Sequence, residues 1–237
     1  MLARNVADLS DPPKPMKTEM STWSAQQVQG FLSYVKAHRL YPCFLLLLTT
    51  GMRRGELCGL RWEGIDFETK RISIRRSRVV VGYSNVVNSE PKTARGRRIV
   101  PLDPAVVDVL RGYRARQLQE RLAWGAGYQG DGGIVFTHED GAALHPDQIS
   151  NAFERLTQAA ELPRIRLHDL RHTYATLALQ SGVPLWAVSD ILGHASLAIT
   201  SNVYRHAIPP VFEEAAGKVA GLMLGRSRPP SALGRDE

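Results

Sequence analysis

Apolar residues recur at helical spacing from Val28 through Phe31, Leu32 and Val35, with Ser24 placed to cap the start. This predicts a first helix, and a second over 41–48. Gly51 interrupts, and a short helix resumes over 53–60. The period then changes. Arg71-Ile72-Ser73-Ile74-Arg75 alternates with period two, 79–81 is β-rich, and Arg98-Ile99-Val100-Pro101 reads as another short strand. Helix returns over 103–124, with Val106, Val107, Leu110 and Leu118 on its apolar side. Ile134-Val135-Phe136 is a brief buried run. Helices follow over 146–161, 168–181, 184–192 and 197–205, and a last amphipathic stretch, 211–224, places Phe212, Ala216, Val219 and Met223 on one side. The expected fold class is mainly α with a small antiparallel β-sheet, an α+β domain.

The ends read differently. Asp11-Pro12-Pro13-Lys14-Pro15 cannot continue a helix, so residues 1–20 read as a linker from something that preceded it. Pro229-Pro230 and mixed charge predict a disordered tail over 226–237. Hydrophobic residues make up 43% of the 237, enough for a sizeable core. Lys and Arg outnumber Asp and Glu by 30 to 23, a formal charge of +7, which favours a polyanionic partner. Cys43 and Cys58 lie in apolar stretches and read as reduced core residues. The first residues lack the apolar centre of a signal peptide, and the apolar run 43–48 is too short to span a bilayer. These features predict a soluble, cytoplasmic protein.

Three polar clusters need explanation. In Thr50-Gly51-Met52-Arg53-Arg54-Gly55-Glu56-Leu57, a helix over 53–60 would put Arg53 on the face of Leu57 and Leu60. An arginine there needs a partner, and Glu56 is three residues on. Two readings stand: a half-buried ion pair, or an arginine held to receive an anion. In Arg166-Leu167-His168-Asp169-Leu170-Arg171-His172-Thr173-Tyr174, His168, Arg171 and His172 share one side of a helix whose polar groups crowd its first turn. Histidines four apart have metal-like spacing, but a guanidinium between them would repel a cation, and the second position is Asp rather than the Glu of His-Glu-x-x-His enzymes. A structural histidine pair is the plainer alternative. The third cluster is Ile191-Leu192-Gly193-His194-Ala195-Ser196, followed by Tyr204-Arg205-His206. Lys92 sits in the basic turn Pro91-Lys92-Thr93-Ala94-Arg95-Gly96-Arg97-Arg98, whose plain reading is a solvated loop that touches phosphate.

Taken in order, TGMRRGEL at 50–57, PKTARGRR, HDLRHTYAT at 168–176, LGHASLAIT at 192–200 and Tyr204 resemble the tyrosine recombinase family, in particular its phage integrases. The resemblance covers roughly residues 20–208. It implies the catalytic-domain fold of DNA breaking-rejoining enzymes over 21–208, with Arg53, Lys92, His168, Arg171, His194 and Tyr204 as catalytic residues, His168 as the natural acceptor of the Tyr204 proton and Glu56 as support. It further implies DNA contacts from Arg54, Arg95, Arg97, Arg98 and Arg205, no metal and no cofactor. The linker would follow a core-binding domain, so the chain reads as a piece of a longer protein. Residues 209–225 would form a C-terminal helix, docking on a neighbouring protomer or packing on its own domain.

The implied function is a site-specific DNA recombinase, an integrase of a mobile element in a bacterial host. It would cleave and rejoin strands at double-stranded attachment sites through a 3′-phosphotyrosine, without metal or ATP. The resemblance implies a homotetramer on DNA, a monomer for this fragment, and an accessory DNA-bending protein as a further partner. A type IB topoisomerase-like enzyme, a non-cutting DNA-binding regulator with the same fold, and a metal-dependent nuclease are the alternatives.

Overall fold

The computed structural model describes residues 21–82, 85–89, 96–130, 132–194, 196–204 and 223. The linker, Lys92, Arg95, Arg205, the tail and the C-terminal stretch except Met223 lie outside the described residues. Helix α1 (Ala25–Tyr34) starts as expected at Ser24, whose hydroxyl accepts the Gln27 N–H while Gln27 Oε1 accepts the Ser24 N–H. Helix α2 (Tyr41–Thr50) is apolar nearly all round and runs through the middle of the core. Its Phe44 joins Trp23, Phe31 and Phe153 in an aromatic cluster, all within 1% of full burial, with ring centroids 5.1–5.8 Å apart. Burying each of these rings contributes about 2 kcal/mol, so this cluster is the anchor of the domain.

Helix α3 is shorter than expected, Arg54–Cys58, and Arg53 is its cap, with extended φ −77° and ψ 151°. Arg53 therefore does not share a helix face with Leu57 and Leu60. Beyond α3 the chain forms two sheets where one was expected. Strands β1 (Ile65–Asp66), β2 (Arg71–Ile74) and β5 (Arg98–Pro101) make an antiparallel sheet in the order β1-β2-β5, while β3 (Ser77–Val81) and β4 (Asn85–Ser89) form a separate antiparallel hairpin. Ile72 and Ile74 face the core from β2, opposite Val100 and Arg98. The hairpin's valines stay largely outside, with Val79, Val81 and Val87 all exposed. Gly55 and Gly59 let α3 lie against the backbone of β3: a Cβ on Gly55 would stand 2.5 Å from Ser77 Oγ and 2.9 Å from the Arg78 carbonyl.

Asp103 caps α4 (Pro104–Trp124) by accepting the Ala105 N–H. A buried amide joins α4 to the 134–137 segment. Gln117 accepts from Trp62 Nε1 at 2.7 Å and donates to the Ile134 and Val135 carbonyls and Thr137 Oγ1, so its burial leaves no polar group unmet. Helices α5 (Pro146–Ala159), α6 (Asp169–Gln180), α7 (Leu185–Leu192) and α8 (Leu197–Tyr204) complete the described fold. The core has two parts. The larger runs from Trp23 to Leu170, and a small one gathers Ala175, Leu179, Val188, Leu192 and Tyr204 from α6, α7 and α8. Helix α6 passes from one into the other, and the polar residues of its first turn sit at the seam. Cys43 and Cys58 are buried free thiols.

Candidate active site

The seam is built by helix ends. Helix α2 stops at Gly51 in a left-handed conformation, φ +61°, where a Cβ would come within 2.6 Å of both Leu192 Cδ2 and Tyr174 Cδ1. Only glycine fits, and its carbonyl turns to accept Arg171 Nη1 at 2.7 Å. Helix α7 stops in the same way at Gly193, φ +67°. The Leu192 carbonyl accepts Arg171 Nη2 at 2.7 Å. Arg171, only 3% exposed, is thus clamped between the C-terminal ends of two helices, where partial negative charge favours a guanidinium. Two of its five N–H donors are so used.

Arg53 holds the start of α3. Its backbone N–H donates to Glu56 Oε2 at 2.8 Å and its Nη1 to Oε1 at 2.9 Å, with 43% of the side chain still exposed. Glu56 itself is buried and accepts a second, two-pronged guanidinium. Arg98 donates Nη1 to Oε1 and Nη2 to Oε2, both at 2.9 Å, and its Nε to the Ile191 carbonyl. Burial alone would raise the Glu56 carboxyl, but Arg98 and then Arg53 hold it below the ordinary range. Arg98, expected to touch DNA, is instead turned inward with a side chain 6% exposed, because the buried carboxylate needs a second cation.

His168 is the cap of α6 and open to solvent. Desolvation by its neighbours and then the Arg171 charge lower its pKa. Asp169 braces the same turn by accepting the Arg166 backbone N–H at 2.8 Å and both Nε and Nη2 of that side chain. His194 is set by the Gly193 turn, its N–H donating to the Ser189 carbonyl. Its Nδ1 meets the buried Thr200 hydroxyl at 2.7 Å, which directs Nε2 away from Thr200. Burial, Arg171 and Arg53 push His194 down to about 4. Arg171 falls to about 9 through burial and Arg53, still charged at neutral pH. Tyr204 ends α8 with 1% exposure, and burial pushes its phenol up to about 12. Its hydroxyl lies 2.6 Å from His172 Nδ1.

Arg53, Glu56, His168, Arg171, His194 and Tyr204, scattered over 152 positions of sequence, therefore converge. Among the other expected residues, Arg54 is tied to Asp147 and Ser150 at 2.7 and 2.8 Å, and Arg97 is exposed beside Arg75 and Arg76 on a depression of about 670 Å³. A second depression, about 700 Å³, reaches the site at His168 and is lined by Arg54, Arg164 and Arg166 together with Glu154 and Asp169, which pair with the last two. Sequence reasoning placed His172 only in a histidine pair, structural or metal-like, and gave no role to Thr200. The signal for His172 was its place one residue after Arg171. Thr200 gave none. Three guanidiniums surround one carboxylate, so the site holds an excess of two positive charges and depresses its own bases. Such a place stabilises a bound anion beside a phenol.

The fold has known counterparts. A solved Tn1549 transposon integrase in complex with transposon right end DNA superimposes with a TM-score of 0.72, at 23% identity, covering 93% of this chain and 71% of that one. The "Tyrosine recombinase XerC-like" protein of Caldanaerobacter subterraneus subsp. tengcongensis is 36% identical over 208 residues, 84% of this chain and 53% of the relative. The ICEBs1 integrase of Bacillus subtilis is 26% identical over 94% of this chain and 60% of its own length. The chain thus spans between about half and three fifths of the length of the last two relatives. The model of the phage integrase family matches residues 22–209, the stretch that holds every helix end described above, and the chain belongs to that family.

Proposed function

We propose that this chain is the catalytic part of a site-specific DNA recombinase that cuts and rejoins strands through a covalent bond to Tyr204. The observation that carries the reading is the Tyr204 phenol placed near Arg171, whose guanidinium in turn lies near Arg53 and His194, an excess of positive charge over Glu56 that an anion relieves. A phosphodiester supplies that anion. Its non-bridging oxygens gain charge during transesterification, and the planar forks of Arg53 and Arg171 and the Nε2–H of His194 donate to them. His168, at the open side, adds a further donor. The Tyr204 oxygen gives its proton to a histidine of the site and bonds to phosphorus, the bond to the 5′-oxygen breaks, and that oxygen takes a proton, a task the family resemblance gives to Lys92. The phosphotyrosyl bond keeps the energy of the phosphodiester, so a new 5′-hydroxyl reverses the step without ATP.

The partner is double-stranded DNA, drawn by the formal charge of +7 and by the basic depression that holds Arg75, Arg76 and Arg97. The similarity to an integrase solved on transposon-end DNA supports this partner. Recombination between two duplexes requires four cuts, hence a tetramer of the longer protein on DNA, with a DNA-bending protein as accessory. A protein that works on the DNA of a bacterial host is cytoplasmic; no helix among the described residues is long and apolar enough to cross a membrane.

The test is covalent trapping. Nicked suicide duplexes pooled from attachment-site sequences are mixed with the protein, quenched in SDS and resolved by mass. The expected adduct survives EDTA and is lost in Tyr204→Phe. An adduct that needs a divalent metal, or that persists in Tyr204→Phe, overturns the reading.

A further inference from the structure

Tyr204 does not touch His168; among the described residues its hydroxyl is held by His172. The two side chains come from α6 and α8, and the contact at 2.6 Å joins the ring nitrogen Nδ1 to Oη. The ring of His172 is half-buried and stands edge-on to His168, centroids 5.2 Å apart. Those two imidazoles face one another, so each opposes protonation of the other, and the nearby Arg171 and Arg166 add to that while Asp169 works against it. Tyr204 stands against the ring as well, and His194 lies close enough to feel its charge. Burial comes first among the causes that bring His172 down to about 4, so the imidazole is neutral at physiological pH. A neutral imidazole beside a phenol that stays protonated carries a free lone pair.

Resting on the proposed strand-transfer reading, we infer that His172 is a catalytic residue: its Nδ1 accepts the hydrogen bond from Tyr204 and takes the phenolic proton as Oη bonds to phosphorus. The bookkeeping of atoms closes. The O–H bond of Tyr204 breaks, an N–H bond forms on Nδ1, the O–P bond forms, and the 5′-oxygen leaves with a proton from elsewhere. Rejoining runs the same transfer backwards, with His172 returning the proton to Oη.

The low basicity of His172 does not argue against this. Full transfer from a phenol near 12 to an imidazole near 4 before attack is unfavourable by several pH units. Once Oη begins to bond to phosphorus, its proton becomes far more acidic than either group, and an acceptor of intermediate strength is the effective one. An incoming phosphate also offsets the Arg171 and Arg166 charges and lifts His172 toward its ordinary value.

Two measurements test the assignment. The first needs no DNA: in ¹⁵N-labelled protein at pH 7, His172 is expected with Nε2 protonated and Nδ1 bare, and Tyr204→Phe is expected to disturb that tautomer. A proton on Nδ1 overturns the proposal. The second uses the adduct-forming duplex. His172→Ala is expected to slow adduct formation about a hundredfold at pH 7. Its rate should then climb about tenfold per pH unit as the phenolate forms unaided, and added imidazole should restore it. His172→Gln, which can still hydrogen-bond, stays slow. A structural role would leave Gln active and the defect insensitive to pH. Rates within a few-fold of wild type, or imidazole rescue in His168→Ala instead, overturn the inference. If wild-type protein forms no adduct, the strand-transfer reading itself falls, which is a distinguishable failure.

Discussion

Arg98 and Glu56 form a fork-to-fork pair inside the protein, both contacts 2.9 Å, with 6% and 4% of the side chains exposed. The pair does more than satisfy two charges. Glu56 also holds the backbone and side chain of Arg53, and Arg98 holds the Ile191 carbonyl, three residues before His194. One buried contact therefore fixes the base of the β5 strand, the start of α3 and the end of α7. Arg98→Ala leaves the carboxylate short of a cation and is expected to destabilise by about 3–5 kcal/mol. Arg98→Lys cannot fork, and should destabilise less while slowing adduct formation. Urea unfolding of Arg98→Ala, Glu56→Gln and the double variant gives the coupling. Additive effects would show that the pair is not the link.

Gly51 is the second such link. Gly51→Ala places a methyl in left-handed backbone and 2.6 Å from Leu192 and Tyr174, against which the Arg171 clamp is built. The left-handed strain alone is about 1 kcal/mol, and the clash adds to it. The expected outcome is a lower Tm together with a loss of adduct formation larger than the stability change explains. Wild-type adduct formation in a folded Gly51→Ala protein would mean that the carbonyl position is unimportant.

Why some of this was legible in the sequence and some was not has a physical reason. Ser24, Asp103 and the Gly51 stop are local signals, read by the chain within three or four residues, and the helices they bound lie where the spacing puts them. The site residues were found through a resemblance of ordered motifs, not through their periodicity. Arg53 shows the limit: its side chain fits a helix face on paper, yet the residue is an extended cap, because Glu56 reaches back to its N–H. Arg98 looked like one more cation in a basic turn. Its inward direction depends on Glu56, 42 residues away, and no local rule carries that distance. The strands β1 and β4 were missed for related reasons: one has two residues, and the other, Asn85–Ser89, is mostly polar and forms only by pairing with β3.

The depressed histidines make stability depend on pH. His172 and His194 both lie near 4 in the folded state, below the usual 6.5. As pH falls below 6.5 the unfolded chain takes up protons that the folded site refuses, so their contribution, fully present above 6.5, is lost between 6.5 and 4. The Tm is expected to fall over that window, by an amount corresponding to a few kcal/mol for the two together. His172→Gln and His194→Gln should each flatten the slope. Bound DNA should oppose the loss, since phosphate raises both pKa values and binding then takes up protons. Calorimetric titrations in two buffers of different ionisation enthalpy measure that uptake near pH 6, and no uptake would mean that the phosphate does not sit beside these rings.

Thr200 offers the most selective test of how His194 works. Its hydroxyl is fully buried and meets Nδ1 at 2.7 Å, so when it donates there the neutral ring carries its proton on Nε2, facing away from Thr200. Thr200→Val keeps the shape and removes the hydroxyl. The ring is then free to move its proton to Nδ1 or to turn, and the donor aimed at the phosphate is no longer fixed. Losing such an orienting partner typically costs ten- to a hundredfold in activity, so adduct formation should slow by about tenfold while DNA affinity changes little. Thr200→Ser keeps the hydroxyl and is expected to restore most of the rate. Because Val and Thr fill nearly the same volume, a rate loss in Val that Ser reverses reports the hydrogen bond rather than packing. Equal rates in Val and wild type would mean that the His194 donor is positioned by the Gly193 turn alone.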